Sequence, residues 1–169
     1  KSVLKNFNKN HDFYYWFRLK KEAQIIAKTR NDEEALNYIA SKFEKIENPN
    51  NKFIFDIANF YKNSKNYKTA IKYYSLIIDK LESDSEVKAD LLYRRGGSYE
   101  RLKEYVKADE DLLASLSINP NDAYVLNYLA YSWLERDFKI DEAIEMLKKA
   151  YEQENNDPYI IDSMGWAYY

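Results

Sequence analysis

Between Ala89 and Asp122 the apolar positions form two helical stripes followed by a stop. Leu92, Gly96 and Tyr99 lie four and three residues apart, which places a bulky side chain, a gap and an aromatic ring on one helical face. Further on, Ala108, Leu112, Ser115 and Leu116 repeat the periodicity, and Asn119-Pro120-Asn121-Asp122 ends it. Proline has no N–H donor and disfavours helix at the residue before it. Residues 89–122 therefore predict a helix, a turn and a second helix.

The same pattern recurs on both sides. Ile54, Ala58, Tyr61, Tyr67, Ala70 and Tyr74 match Leu92, Gly96, Tyr99, Tyr105, Ala108 and Leu112 one for one. From Ala123 the series is Leu126, Ala130 and Trp133, an extra residue around Asp137, then Ala143, Leu147 and Ala150. Ile161, Gly165 and Tyr168 begin another unit that the sequence does not finish. Small residues recur where two helices would cross closely, with aromatics beside them to fill the wider gaps. Upstream, a helix is expected over residues 13–28 with Trp16, Leu19, Ala23 and Ile26 on one face, then a second over 33–47 capped at Asn31-Asp32. Ala35 fits the pattern, whereas Glu22 stands where an apolar residue is expected, so this first unit is degenerate.

These signals divide the chain into 1–12, a linker or the end of a preceding helix carrying Val3, Leu4 and Phe7; 13–50, the degenerate unit; 51–84; 85–122; 123–157; and 158–169, a lone first helix. Ser83 or Ser85 is expected to cap an extended first helix of the third full-length segment, and Asp141 the second helix after the inserted residue.

A helix–turn–helix unit with a bulky residue, a small one, Tyr, Ala, an apolar residue and a late Pro resembles the tetratricopeptide repeat. The resemblance implies an all-α, right-handed α-solenoid. Residues 123–169 also resemble a segment of bacterial, alphaproteobacterial-type tetratricopeptide proteins of unassigned role. In that family the first helices line a concave face, and ligand peptides contact positions two, five, nine, twelve and thirteen of each repeat. Carried onto this sequence, those positions are Lys52, Phe55, Asn59, Lys62 and Asn63; Asp90, Tyr93, Gly97, Glu100 and Arg101; and Tyr124, Asn127, Tyr131, Leu134 and Glu135. The last helix adds Tyr159, Asp162, Trp166 and Tyr169. Gly97 would leave room for a backbone to approach. The resemblance thus implies a non-catalytic scaffold with a protein or peptide ligand in an aromatic, amide-rich groove. Each ring weighed alone also serves as packing; only the shared face favours recognition. The subfamily that clamps chaperone C-terminal carboxylates needs Lys, Asn and Arg where this chain has Phe55, Asn59, Asp90 and Arg94, so that ligand is not expected.

Composition narrows the alternatives. Three Gly and three Pro leave little material for long turns, and 17 Tyr with 8 Phe reconcile a hydrophobic content of 46% with a polar surface. The 26 basic and 28 acidic side chains are interspersed, so no nucleic-acid partner is expected, and without a long apolar run no direct membrane insertion is expected. The lack of cysteine excludes disulfides and thiolate metal sites and suits either the cytoplasm or the periplasm of a bacterium. Six cations, Lys20, Lys21, Lys62, Arg94, Arg95 and Arg101, would suit a helical-repeat RNA surface, but Asp90 and Glu100 share their face. His11 is the sole histidine, and the carboxylate pairs Asp109/Asp111 and Glu33/Glu34 read as solvated outer faces among lysines, so no catalytic, metal or cofactor site is expected. The unfinished last helix would leave Ile160, Ile161, Met164 and Trp166 only partly covered, which implies that the chain continues or that a second copy covers this end. An auxiliary region of a larger enzyme or envelope-assembly protein is the remaining alternative.

Overall fold

The computed structural model describes residues 13–168. Among them are nine helices and no strand: α1 (Phe13–Thr29), α2 (Asp32–Phe43), α3 (Asn51–Asn63), α4 (Tyr67–Ile78), α5 (Glu86–Arg101), α6 (Tyr105–Ile118), α7 (Ala123–Leu134), α8 (Ile140–Gln153) and α9 (Pro158–Ala167). Each odd-numbered helix up to α7 packs chiefly against the helix that follows it, and α9 packs on α7 and α8. The described residues up to Lys80 form one compact unit and those from Leu81 a second.

Small side chains set the spacing inside each helix pair. Ala23 with Ala35, Ala58 with Ala70 and Ala130 with Ala143 are all fully buried. At the α5–α6 crossing a Cβ on Gly96 would lie 3.0 Å from Leu112 Cγ and 3.2 Å from the Ala108 carbonyl oxygen, so the helices meet at a distance that excludes a side chain there. Ser115 Oγ donates to the Ala89 carbonyl at 2.8 Å. With Gly96 against Ala108, Ser115 on Ala89 makes the pair antiparallel.

One turn design joins three of the pairs. After α3, α5 and α7 the chain enters the left-handed region at Lys65 (φ 60°), Lys103 (φ 61°) and Asp137 (φ 50°). The amides of Asn66, Glu104 and Phe138 reach back to the carbonyls of Tyr61, Tyr99 and Trp133 at 2.9, 3.0 and 2.9 Å. This is the Schellman closure, normally served by glycine. The chain's scarcity of glycine is thus met by lysine and aspartate in strained positions. Asn66 and Glu104 serve at once as N-caps of α4 and α6. After Phe138 one more residue intervenes, Lys139 at φ 45°, and it is the N-cap of α8. The inserted residue therefore falls at Lys139, and Asp141 lies inside the first turn of α8 and does not cap it, contrary to expectation.

Two other local expectations are corrected. Ser85 precedes α5 but makes no side-chain cap bond. The helix expected over 33–47 is α2, which stops at Phe43 because the chain turns to bury Ile46 and then passes through Asn48 at φ 50°. Its Asn31 cap forms as expected, accepting from the Glu34 amide at 2.8 Å. Glu22, the misfit of the degenerate unit, accepts a hydrogen bond from the Tyr38 hydroxyl and so bridges α1 to α2 through a polar contact.

Each unit has its own core. Up to Lys80 it is aromatic: Trp16 stacks on Phe53 at 5.1 Å and meets Phe43 edge-on at 5.8 Å, and Tyr73 contacts both Phe43 and Tyr61. From Leu81 it is mostly aliphatic, built from Leu112, Val125, Leu129, Leu147 and their small neighbours, with Trp133 alongside. Gly96→Val should lower stability by about 1–3 kcal/mol through overpacking against Leu112, while Lys103→Gly should raise it by about 0.5–1 kcal/mol by relieving the left-handed turn. Urea unfolding followed by circular dichroism checks both signs.

Candidate protein-binding cleft

Between the leading helices α5 and α7 lies a cleft of about 220 Å³ lined by Glu100, Arg101, Tyr128, Tyr131, Ser132 and Glu135. Gly97 lies on α5 one turn before Glu100. A Cβ there would stand 3.4 Å from Tyr128 Oη, so the gap beside Gly97 is occupied by the Tyr128 ring. This corrects the expectation that Gly97 leaves room for a ligand backbone. Tyr128 Oη donates to Glu100 Oε2 at 3.0 Å, and its ring meets Tyr93 edge-on at 5.8 Å and 87°. Burial, reinforced by the charge and hydrogen bond of Glu100, pushes the Tyr128 phenol well above its usual range.

A further part of the wall is Tyr131 and Glu135, one turn apart at the C-terminal end of α7, where Glu135 is the C-cap. The Tyr131 phenol is raised chiefly by its hydrogen bond to Glu135, with burial and the charges of Glu135 and Asp162 adding and Arg101 opposing. Asp162 of α9 is thereby placed within electrostatic reach of the same wall. Arg101 Nε lies 3.6 Å from Glu100 Oε2, and its side chain remains more than half exposed.

Of the expected groove residues, Glu100, Arg101, Tyr131 and Glu135 line this cleft, and Asp162 acts on it. Tyr124 and Asn127 occupy the preceding turns of α7; Tyr124 is exposed, and Asn127 is half-buried with its Oδ1 buried and making no hydrogen bond among the described residues. Tyr93 packs against the core and is raised by burial, so it supports the cleft from beneath and does not line it. Tyr159 and Trp166 are exposed on α9. Asn59 accepts from Tyr74 Oη at 2.7 Å, an internal bond of the α3–α4 pair. Lys52 is exposed and Phe55 half-buried on α3. Tyr128 and Ser132 are lining residues outside the expected positions. They stand four residues apart on the same α7 face as Glu135 and Tyr131, and the Gly97 vacancy opposite was the signal that a ring would enter from α7.

Of the carboxylate pairs expected on solvated faces, Glu33 and Glu34 are exposed, whereas Asp109 and Asp111 are a correction. Asp111 is buried and takes a two-pronged contact from Arg95, Nε to Oδ2 and Nη2 to Oδ1, both at 2.7 Å. Asp109 accepts from Arg136 Nη2 at 2.8 Å, and Arg136 also lies over the Tyr105 ring at 4.6 Å. Arginine's planar fork makes such contacts within and between helix pairs. The cations weighed for RNA are engaged as well: Lys20 with Asp56 at 2.6 Å and Arg94 with Asp90 at 2.8 Å. The Asp56 carboxylate also accepts from Trp16 Nε1 at 2.9 Å. His11, Val3, Leu4, Phe7 and Tyr169 lie outside the described residues. Among the described residues no cluster of His, Cys, Asp and Glu has the makings of a metal site, and no helix is long and apolar enough to cross a membrane.

Fold and repeat pattern together define the class: an all-α solenoid that carries tetratricopeptide repeats. The tetratricopeptide-repeat family model matches residues 52–79 and 89–122. The TPR repeat-containing protein PA4667 of Pseudomonas aeruginosa is 35% identical over 80 residues, which are 47% of this chain and 14% of that protein, so the chain spans a small part of its relative's length. Solved structures share the fold at lower identity. Cut9 in the APC/C hetero-tetramer Cut9-Hcn1 matches with a TM-score of 0.69 at 21% identity over 90% of this chain and 29% of its own. MamA from Desulfovibrio magneticus RS-1 gives 0.68 at 20% identity, over 90% and 82%. The first tetratricopeptide domain of Spaghetti (RPAP3), bound to the HSP90 peptide SRMEEVD, gives 0.61 at 19% identity, over 70% and 90%. The tetratricopeptide repeat is a protein-interaction fold and generally a non-catalytic one.

The raised phenols set an alkaline limit on stability. Tyr38, partly buried and bonded to Glu22, is pushed up to about 12, and Tyr61, Tyr73, Tyr93 and Tyr128 are raised chiefly by burial. A raised folded-state value contributes stability that is complete below the unfolded phenol's value of about 10 and is lost as pH climbs through the folded one. The urea midpoint should stay level up to about pH 10 and fall above it, and tyrosinate absorbance should show a late-titrating group of phenols that shrinks in Tyr128→Phe.

Proposed function

We propose that the chain is a non-catalytic interaction module that binds an extended segment of a partner protein along the leading-helix face of residues 81–168, anchored in the α5–α7 cleft. The observation that carries this reading is the cleft itself. Four of its six lining residues, Glu100, Arg101, Tyr131 and Glu135, hold repeat positions nine, twelve and thirteen, where peptide contacts are expected from the family, and its walls combine two phenol rings with hydrogen-bonding side chains. Rings give a ligand backbone apolar area at small entropic cost, and carboxylate, guanidinium and hydroxyl groups fix its register. RPAP3's domain, bound to a chaperone-tail peptide, supports peptide capture as a use of this fold. A carboxylate clamp is not supported in this chain, since Arg94 is paired to Asp90 and Asn59 to Tyr74. Tyr131→Ala combined with Glu135→Ala should abolish capture of the partner while helicity is retained, and Val106→Ala, on the exposed face of α6, should leave capture intact. Equal capture by both variants contradicts the proposal.

A second reading is favoured by α9. Ile161, Trp166 and Tyr168 are about half or more exposed, and a Cβ on Gly165 would meet nothing within 4 Å. Gly165 holds the place in the pattern that Gly96 holds against α6, so a further helix, here one from a second copy, fits this face. Ile160 and Met164 are turned inward onto α7 and α8 and take no part. On this reading the molecular mass by light scattering rises with concentration, and Ile161→Asp returns it to that of the monomer. On either reading the chain serves chemistry or assembly carried out elsewhere.

A further inference from the structure

We propose, building on the cleft reading above, that the α5–α7 cleft is selective for a cationic side chain, so that the partner segment presents an arginine or lysine to it. Glu100 and Glu135 face the cleft from opposite helices, and Asp162 acts on the same wall from α9. Arg101 is the single cation among the lining residues. It lies at 3.6 Å from Glu100 with its side chain more than half in solvent, so it sits at the rim beside a carboxylate of which most is covered. The local balance is therefore three carboxylates to one guanidinium.

The cleft's shape agrees with its charge. A volume of about 220 Å³ accommodates one long side chain and no folded element. Tyr128 and Tyr131 offer ring surface to an alkyl stem or a guanidinium plane. Charge of this sign rejects an acidic segment, because a second carboxylate brought between Glu100 and Glu135 would be partly desolvated beside like charge. The geometry thus reverses the preference of a site built for terminal carboxylates.

Three capped peptides on one alanine–serine scaffold, differing only in a central Arg, Gln or Glu, test this by backbone-amide NMR titration of the protein. The Arg peptide should perturb the amides of Tyr128, Tyr131, Ser132 and Glu135 and bind about fivefold or more tightly than the Gln peptide, the size of one unit-charge contact near water. Added salt and the variant Glu100→Gln/Glu135→Gln should both remove that advantage. Equal or tighter binding of the Gln or Glu peptide at these amides overturns the cationic assignment and leaves the cleft as a peptide site. No perturbation of these amides by any of the three overturns both.

Discussion

The closeness with which two helices can approach at a small residue governs the rest of this molecule. Gly96 against Ala108 and Leu112 shows the constraint most directly, because the backbone carbonyl and a leucine branch already fill the space that a methyl group would need. The buried alanine pairs at Ala23/Ala35, Ala58/Ala70 and Ala130/Ala143 are placed to do the same in the other helix pairs. A close crossing fixes which face of the leading helix is hidden, and so which face is left for other contacts. For α5 that remainder includes Gly97, Glu100 and Arg101, and for α7 it includes Tyr128, Tyr131 and Glu135. The cleft is the consequence of two such faces standing side by side.

Polar contacts then add direction to a packing scheme that small and apolar residues alone would leave loosely specified. Arg95 to Asp111 joins α5 to α6, and Arg136 to Asp109 ties the end of α7 to α6. In the first unit Asp56 of α3 receives both Trp16 and Lys20 of α1. Removing one member of such a pair leaves a charge without compensation in a partly dry place, which costs stability.

Much of this was legible in the residue pattern. Small residues at a fixed spacing, an aromatic three residues on and a late proline define where helices cross, and the alanine pairs and Gly96 are buried as that spacing requires. Less visible was what the spare polar residues do. Asp109 and Asp111 lie among lysines in the sequence, but their partners are Arg136 and Arg95, 27 and 16 residues away, a separation that periodicity does not encode. Turn chemistry misled for a similar reason. With three glycines in the chain, Lys65, Lys103 and Asp137 adopt the left-handed conformation, and nothing in the lysines announces it. Gly97 was read as an opening because the pattern shows the missing side chain and not the Tyr128 ring that fills the space.

The central claim is that the small-residue crossing turns the leading helices so that their aromatic and charged face stays outside the core. Nuclear Overhauser contacts on an isotopically labelled sample measure this directly. The account predicts close contacts from the Gly96 α-protons to the Leu112 methyls and from the Gly97 α-protons to the Tyr128 ring, with Tyr131 ring protons showing none to Leu112 or Leu147. Strong contacts between the Tyr131 ring and those buried leucines, with the Gly96 contacts absent, would contradict it.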